Sequence, residues 1–281
     1  MLEKALAERL EQKSELVFKE LGFTGGDWEE VAWRLLCKNF GFKTNAHPFY
    51  ELGRSVPFNI IKKESYDQMV VEAILFGQAG FLAGETDDAY FKELKGQYEF
   101  KRSKYGLDQR LEEHHWKFLR LRPANFPTIR ISQLASLSTK NPNLFAALVD
   151  ESTIKELRKQ FECEQADYWR KHHHFGKQSK SSIGRFGKNS IENILINTAA
   201  PLIFAYGIHK DNEEYKERAV DLLASLPAER NSIINEWANY GKSPTSAFES
   251  QGQLGLFQLY CTEKKCLNCS VGIELLNATS G

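Results

Sequence analysis

Residues 65–80 read SYDQMVVEAILFGQAG, and the fold class turns on that stretch. Ser65 followed three residues later by Gln68 is a capping pattern that opens a helix, and from Met69 onward the chain is apolar nearly all round. A helix without a polar face belongs in the middle of a bundle, so this one is expected to be central. Toward the amino terminus, MLEKALAERLEQKSELVFKELG (1–22) repeats Leu2, Leu6, Leu10, Val17 and Leu21 at helical spacing, sets Glu15 four residues before Lys19, and stops at Gly22. It has no N-cap, and a helix running straight from the first methionine reads as part of a longer chain. Next, Asp27 with Glu30 caps a helix in which Trp28, Val31, Leu35 and Phe40 lead to Gly41. Cys37 falls inside that helix as a core residue.

Toward the carboxy terminus, a more polar helix at 85–105 gives way to a broken stretch, 106–128, with Gly106, Pro123 and Pro127. Helical patterns then recur at 128–137, 143–149, 153–161 and in a segment ending at Trp169. KHHHFGKQSKSSIGRFGKN (171–189) reads as a long loop. After it come apolar IENILINTAAPLIFAYG (191–207), where Pro201 should begin or kink a helix, and acidic NEEYKERAVDLLASL (212–226). AERNSIINEWANYG (228–241) and a last helix from about 245 to 260 complete the pattern. No run of four residues alternates as a strand, and no repeat of 20 to 50 residues is visible. The sequence therefore predicts an all-α, multi-helix globular bundle, as one domain or as two helical subdomains at 1–105 and 106–281.

A chain of 281 residues, 42% hydrophobic, is large enough to bury a substantial core. Lys plus Arg and Asp plus Glu both total 37, so a nucleic-acid role must rest on local patches and not on net charge. No uninterrupted apolar run reaches the roughly 18 to 20 residues of a membrane span, and the start lacks the order of a signal peptide. A cytoplasmic protein without a membrane partner is the expectation. Five cysteines, an odd number, suit reduced thiols or metal ligands better than a disulfide framework.

Two stretches concentrate positive charge. Between residues 101 and 130, eight basic residues (Lys101, Arg102, Lys104, Arg110, Lys117, Arg120, Arg122, Arg130) face three acids, Asp108, Glu112 and Glu113. Between 171 and 188, Lys171, Lys177, Lys180, Arg185 and Lys188 face none. Lysine and arginine neutralise phosphates, and interleaved aromatics stack on bases. Arg120, Arg122, Arg130, Lys171, Lys177, Lys180, Arg185 and Lys188 are therefore the candidate phosphate contacts, with Phe175 or Phe186 to stack. The competing reading is solvated loop charge with the aromatics turned inward, and what decides between them is whether the two stretches fold together.

YCTEKKCLNCSVG (260–272) places Cys261, Cys266 and Cys269 where three thiolates could hold zinc or match the first three ligands of an iron–sulfur pattern, but a fourth ligand would have to come from Cys37, Cys163 or a histidine brought in by folding. Otherwise the three are small apolar groups. The triple His172, His173, His174 and the pair His114, His115 cannot point at one ion from a regular helix and read as polar residues at a helix end. Gly241-Lys242-Ser243 lacks the first glycine of a phosphate loop and is followed by Pro244. Asp87-Asp88 and Glu112-Glu113 make no nuclease centre. Ser250-Gln251 and Glu229-Arg230-Asn231 read as capping or buried hydrogen-bonding groups. No complete catalytic motif is present, which leaves enzymatic activity undecided.

RPANFPTIRISQLA (122–135), NTAAPLIFAYG (197–207), LPAERNSI (226–233) and SQGQLGLFQLYCTEKKCLNCSVG (250–272) together resemble a bacterial family, mostly from Bacteroidetes, known as domain of unknown function 2851. DWEEVAWRLLCKNFGFKTN (27–45) and EAILFGQAGFL (72–82) fit it too. The resemblance implies the helical carboxy-terminal part of a protein whose amino-terminal portion is reminiscent of restriction-endonuclease-like folds, with the basic loops holding nucleic acid. The leading expectation is a noncatalytic nucleic-acid-binding module of a larger nuclease-like protein. The alternatives are a helical protein-interaction scaffold using the acidic 211–221 segment, and a protein stabilised by zinc at the tail cysteines.

Overall fold

The computed structural model describes residues 2–150 and 153–279. Contacts divide the chain into two units, Thr24–Ile194 and a second made of Met1–Phe23 with Leu195–Gly281. The division falls at these two points and not near residue 105, because the helix ending there packs onto the same central helix as those that follow it.

Helix α1 (Leu2–Phe23) belongs to the split unit. The continuous unit begins with α2 (Trp28–Phe40), whose N-cap Asp27 accepts from the Glu30 amide as expected, then α3 (Ala46–Ser55) and α4 (Phe58–Glu64). Its centre is α5 (Gln68–Gln78), buried at every position from Val70 to Gln78. The cap of α5 is Asp67, accepting from the Met69 amide, and not Ser65, whose hydroxyl donates to the Lys62 carbonyl. Helices α6 (Ala89–Tyr105) and α7 (Pro127–Lys140) pack on α5. Short α8 (Leu144–Asp150), α9 (Ile154–Gln160) and α10 (Asp167–Lys171) follow.

The stretch read as one long loop starts with a small antiparallel hairpin, β1 (His172–His174) with β2 (Lys177–Gln178), turned at Gly176. The three histidines thus form a strand, and the first of them, His172, also sits at a helix end as the C-cap of α10. His172 stacks on Tyr168 with ring centroids 4.0 Å apart, and His174 Nε2 sits 3.0 Å from Glu113. Helix α11 (Lys188–Ile194) closes the unit. Buried Glu64 lies in this unit as well, pulled upward in pKa by burial yet held down to about 2 by hydrogen bonds from Lys101, Tyr105, Lys104 and Tyr66.

In the split unit a π-helical turn (Leu195–Ala199) leads into α12 (Ala200–Lys210), α13 (Glu213–Ser225), α14 (Ser232–Asn239) and α15 (Ala247–Leu256). Pro201 has no amide hydrogen to give the carbonyl one turn back, so the helix widens just before it. A second π turn (Phe257–Cys261) follows α15, and α16 (Ser270–Thr279) ends the described chain. Helices α12 and α15 pack on α1. At Gly255 a Cβ would come within 2.5 Å of the Ala5 carbonyl oxygen, so the α1–α15 approach requires glycine there.

The fold is all-α, with the hairpin as its only named sheet among the described residues. Among the described residues one helix, Lys188–Lys210, is long and apolar enough to cross a membrane by length and composition, and 78% of its apolar window is buried inside the protein.

Candidate nucleic-acid interface

Helix α7 starts at Pro127, a residue that loses nothing at a position where the amide hydrogen has no helical partner. This start places Arg130 in the first turn, where it is only 6% exposed. Its guanidinium lies over two aromatic rings, 4.7 Å from the centroid of Phe42 and 4.8 Å from that of Phe186. Phe42 reaches this position from a left-handed backbone conformation (φ 49°), uncommon for a residue with a side chain. Phe186 in turn stacks flat on Phe40, 4.8 Å between centroids.

Every acceptor that Arg130 meets is neutral. Nη1 donates to Gln133 Oε1 at 3.0 Å, and Nη2 donates to Asn125 Oδ1 at 2.6 Å and Ser190 Oγ at 3.3 Å. The Nε hydrogen has no acceptor among the described residues. Burial lowers the guanidinium pKa to about 10, so the group remains a cation at neutral pH. A buried charge with no opposite charge beside it costs several kcal/mol, and that cost is relieved when an anion binds.

Room for an anion lies next to it. Arg130 lines a cavity of about 330 Å³ together with Phe42, Asn45, Leu121, Asn125, Asn189, Ser190 and Asn193. Asn45 ties one wall to the first basic stretch, since its side chain donates to the Lys117 carbonyl and accepts from the Lys117 amide, both at 2.9 Å. Gly41 lets the turn close, because a Cβ there would come within 2.2 Å of the Asn45 carbonyl oxygen. The cavity wall thus combines residues from the first basic stretch with residues that directly follow the second. Thr128 also donates to the His173 carbonyl at 2.7 Å, a second tie between them.

The expected phosphate contacts divide into groups. Arg120 and Arg122 are exposed and flank Leu121, which lines the cavity, and exposed Lys188 precedes Asn189 in the same way. Arg185 is exposed and lies 3.6 Å from Glu164, a pairing of little strength at such exposure. Lys171, Lys177 and Lys180 are exposed on and beside the hairpin and do not line the cavity. The stacking role expected of the phenylalanines is corrected. Phe175 is buried among Phe76, Phe91 and Trp169, and Phe186 has its faces occupied by Phe40 and Arg130. The sequence reading missed Phe42, Asn45, Asn125, Asn189 and Ser190.

The tail cysteines do not converge on an ion. Cys261 and Cys266 are exposed, whereas Cys269 packs with Ala5 and Leu256. A 3₁₀ turn (Cys266–Asn268) separates them where a continuous helix would have put two on one face. Among the described residues no group of three or more His, Cys, Asp or Glu is arranged to hold a metal.

Comparison with curated proteins and with solved structures finds no match. The family model described as "Protein of unknown function (DUF2851)" matches residues 1–232, and the chain belongs to that family.

Proposed function

We propose that this protein binds nucleic acid through its phosphates, with one phosphate entering the Arg130 cavity and Arg120, Arg122 and Lys188 contacting its neighbours. The observation that carries this reading is the buried guanidinium, held by neutral acceptors and with an Nε hydrogen unused among the described residues, beside a cavity whose wall combines residues of the first basic stretch with residues that directly follow the second. Arginine offers a planar fork that suits phosphate oxygens, and the surrounding side-chain amides supply further donors. Bases would be read little, because the aromatics near the site face inward.

The wider reading, a helical part of a larger nuclease-like protein of a Bacteroidetes cell, belongs to the same proposal and follows from the family resemblance, while the cytoplasmic location and the noncatalytic role are carried over as expectations from the sequence. The test is a titration of labelled single-stranded and duplex oligonucleotides at several salt concentrations. About four phosphate contacts on a single strand would weaken binding roughly 50-fold between 50 and 200 mM salt. Binding that ignores salt, or no binding to either form, sinks the proposal and leaves a protein-interaction scaffold as the better reading.

A further inference from the structure

In the split unit, five elements bring six polar side chains together. Arg9 and Lys13 stand one turn apart on α1, Asn197 sits in the first π turn, Glu229 in the loop before α14, Gln251 on α15, and Gln258 in the second π turn. The Lys13 Nζ donates to Asn197 Oδ1 at 3.1 Å and to Gln251 Oε1 at 3.0 Å. The amide hydrogens of the same two residues go to the two oxygens of Glu229, from Asn197 at 3.0 Å and from Gln251 by a short contact. The four side chains close a ring in which the two amides stand between the amine and the carboxylate. Arg9 joins from outside, donating to Gln251 Oε1 at 2.8 Å and to Gln258.

Such a ring treats lysine unusually. An ammonium group has three hydrogens to donate, and here two acceptors, both neutral, face it. A neutral amine satisfies both and keeps its lone pair unengaged. Burial comes first among the causes that lower the Lys13 pKa to about 7, the Arg9 cation adds to it, and Glu229 opposes. Lys13 still keeps part of its surface open to solvent. A desolvated lysine beside a second cation is the arrangement that makes an amine nucleophilic. Both π turns supply a member of the cluster, and π turns are frequent at functional sites.

We propose that Lys13 is a nucleophilic amine that takes a small aldehyde or ketone as an imine, with Asn197 and Gln251 orienting the nitrogen. In that step the Nζ lone pair attacks the carbonyl carbon, a carbon–nitrogen double bond replaces the carbon–oxygen one, and the oxygen departs as water with the two amine hydrogens. No oxidant or reductant takes part. Glu229 and Arg9 are positioning residues, acting through the amides.

The test is reductive alkylation of the full chain with propionaldehyde and cyanoborohydride between pH 6 and 9, read by peptide mass mapping with the exposed lysines as internal reference. Lys13 is expected to react about tenfold faster than they do at pH 7, with an inflection near neutrality that they lack. Gln251→Glu or Asn197→Asp sets a carboxylate against Nζ, stabilises the ammonium, and should abolish that advantage. The two variants sit on different elements, so at least one that melts like the parent is needed and sufficient. Lys13 reacting no faster than the exposed lysines, or keeping its advantage in a folded carboxylate variant, overturns the proposal.

Discussion

Arg130 and Lys13 are both basic, both largely withdrawn from water, and both met by side-chain amide oxygens in place of carboxylates, yet the same surroundings lead them to opposite ends. The guanidinium starts from a pKa so high that burial, lowering it to about 10, leaves it charged. The amine starts lower, and burial with Arg9 brings it to about 7, where half of the molecules give up the proton. Arginine in a neutral cage therefore asks for an anion, while lysine in a neutral cage becomes a base. The first stores an unmet charge and the second an unused lone pair.

The harshest way to break this comparison is to remove the carboxylate that steadies the second cluster. Glu229→Gln leaves Arg9 and Lys13 near one another with no ring partner of opposite charge. Losing the charged acceptor of two part-buried hydrogen bonds costs about 2 kcal/mol, and urea unfolding at pH 6 should register a loss of that order. An unchanged midpoint would mean that the amides alone hold the cluster together.

A second, smaller effect concerns pH. Unfolded Lys13 holds its proton up to about pH 10.5, whereas the folded group releases it near 7, so between these values the unfolded chain binds more protons. Stability contributed by this site is therefore expected to rise as pH increases from 7 toward 10. Lys13→Met should flatten that rise and add stability at pH 6, where the parent buries a full charge. Matched slopes in parent and variant would show that Lys13 titrates like a surface lysine.

The third effect separates binding from stability. Arg130→Met keeps the volume over Phe42 and Phe186 while removing the uncompensated charge. Oligonucleotide affinity is expected to fall about tenfold, while the unfolding free energy stays level or rises by up to about 1 kcal/mol. A variant that loses stability and keeps its affinity would make Arg130 a structural post. Loss of both together would leave Arg130→Lys as the arbiter, since it keeps the charge but not the planar fork.

Much of the fold was legible because periodicity reports burial directly. The apolar run after Met69 is the centre of its unit, Asp27 caps α2, and the break after Gly106 contains only 3₁₀ turns before α7. The hairpin escaped because its strands are only three and two residues long, too short for alternation to register. Sites were less legible than helices. Both basic stretches were visible as charge, but nothing local indicates that Arg130 turns inward while Arg120 and Arg122 stay outside. Phe42 in a left-handed conformation carries no signature, since glycine is the residue that normally announces one. Gln251 fits its reading as a buried hydrogen-bonding group, and half-buried Glu229 accepts from it, but Lys13, which donates to Gln251, lies more than two hundred residues away in sequence and no spacing rule links them.

The smallest expected effect is also the one that locates the ligand. Arg122 is exposed, beside the cavity-lining Leu121, and would meet phosphate at the rim. Replacing it by glutamine removes one charge and leaves the buried cage untouched, so affinity should fall only two- to threefold at moderate salt. The slope of log affinity against log salt should drop by about 0.7 on single strands or about 0.9 on duplex, the signature of one lost phosphate contact. Lys177→Gln, on the hairpin and away from the cavity wall, changes the net charge equally and should leave the slope where it was if the nucleic acid tracks the cavity rim. Equal drops from the two variants would place the ligand across both basic stretches, and the Arg130 cavity would then be one contact among many and not the anchor.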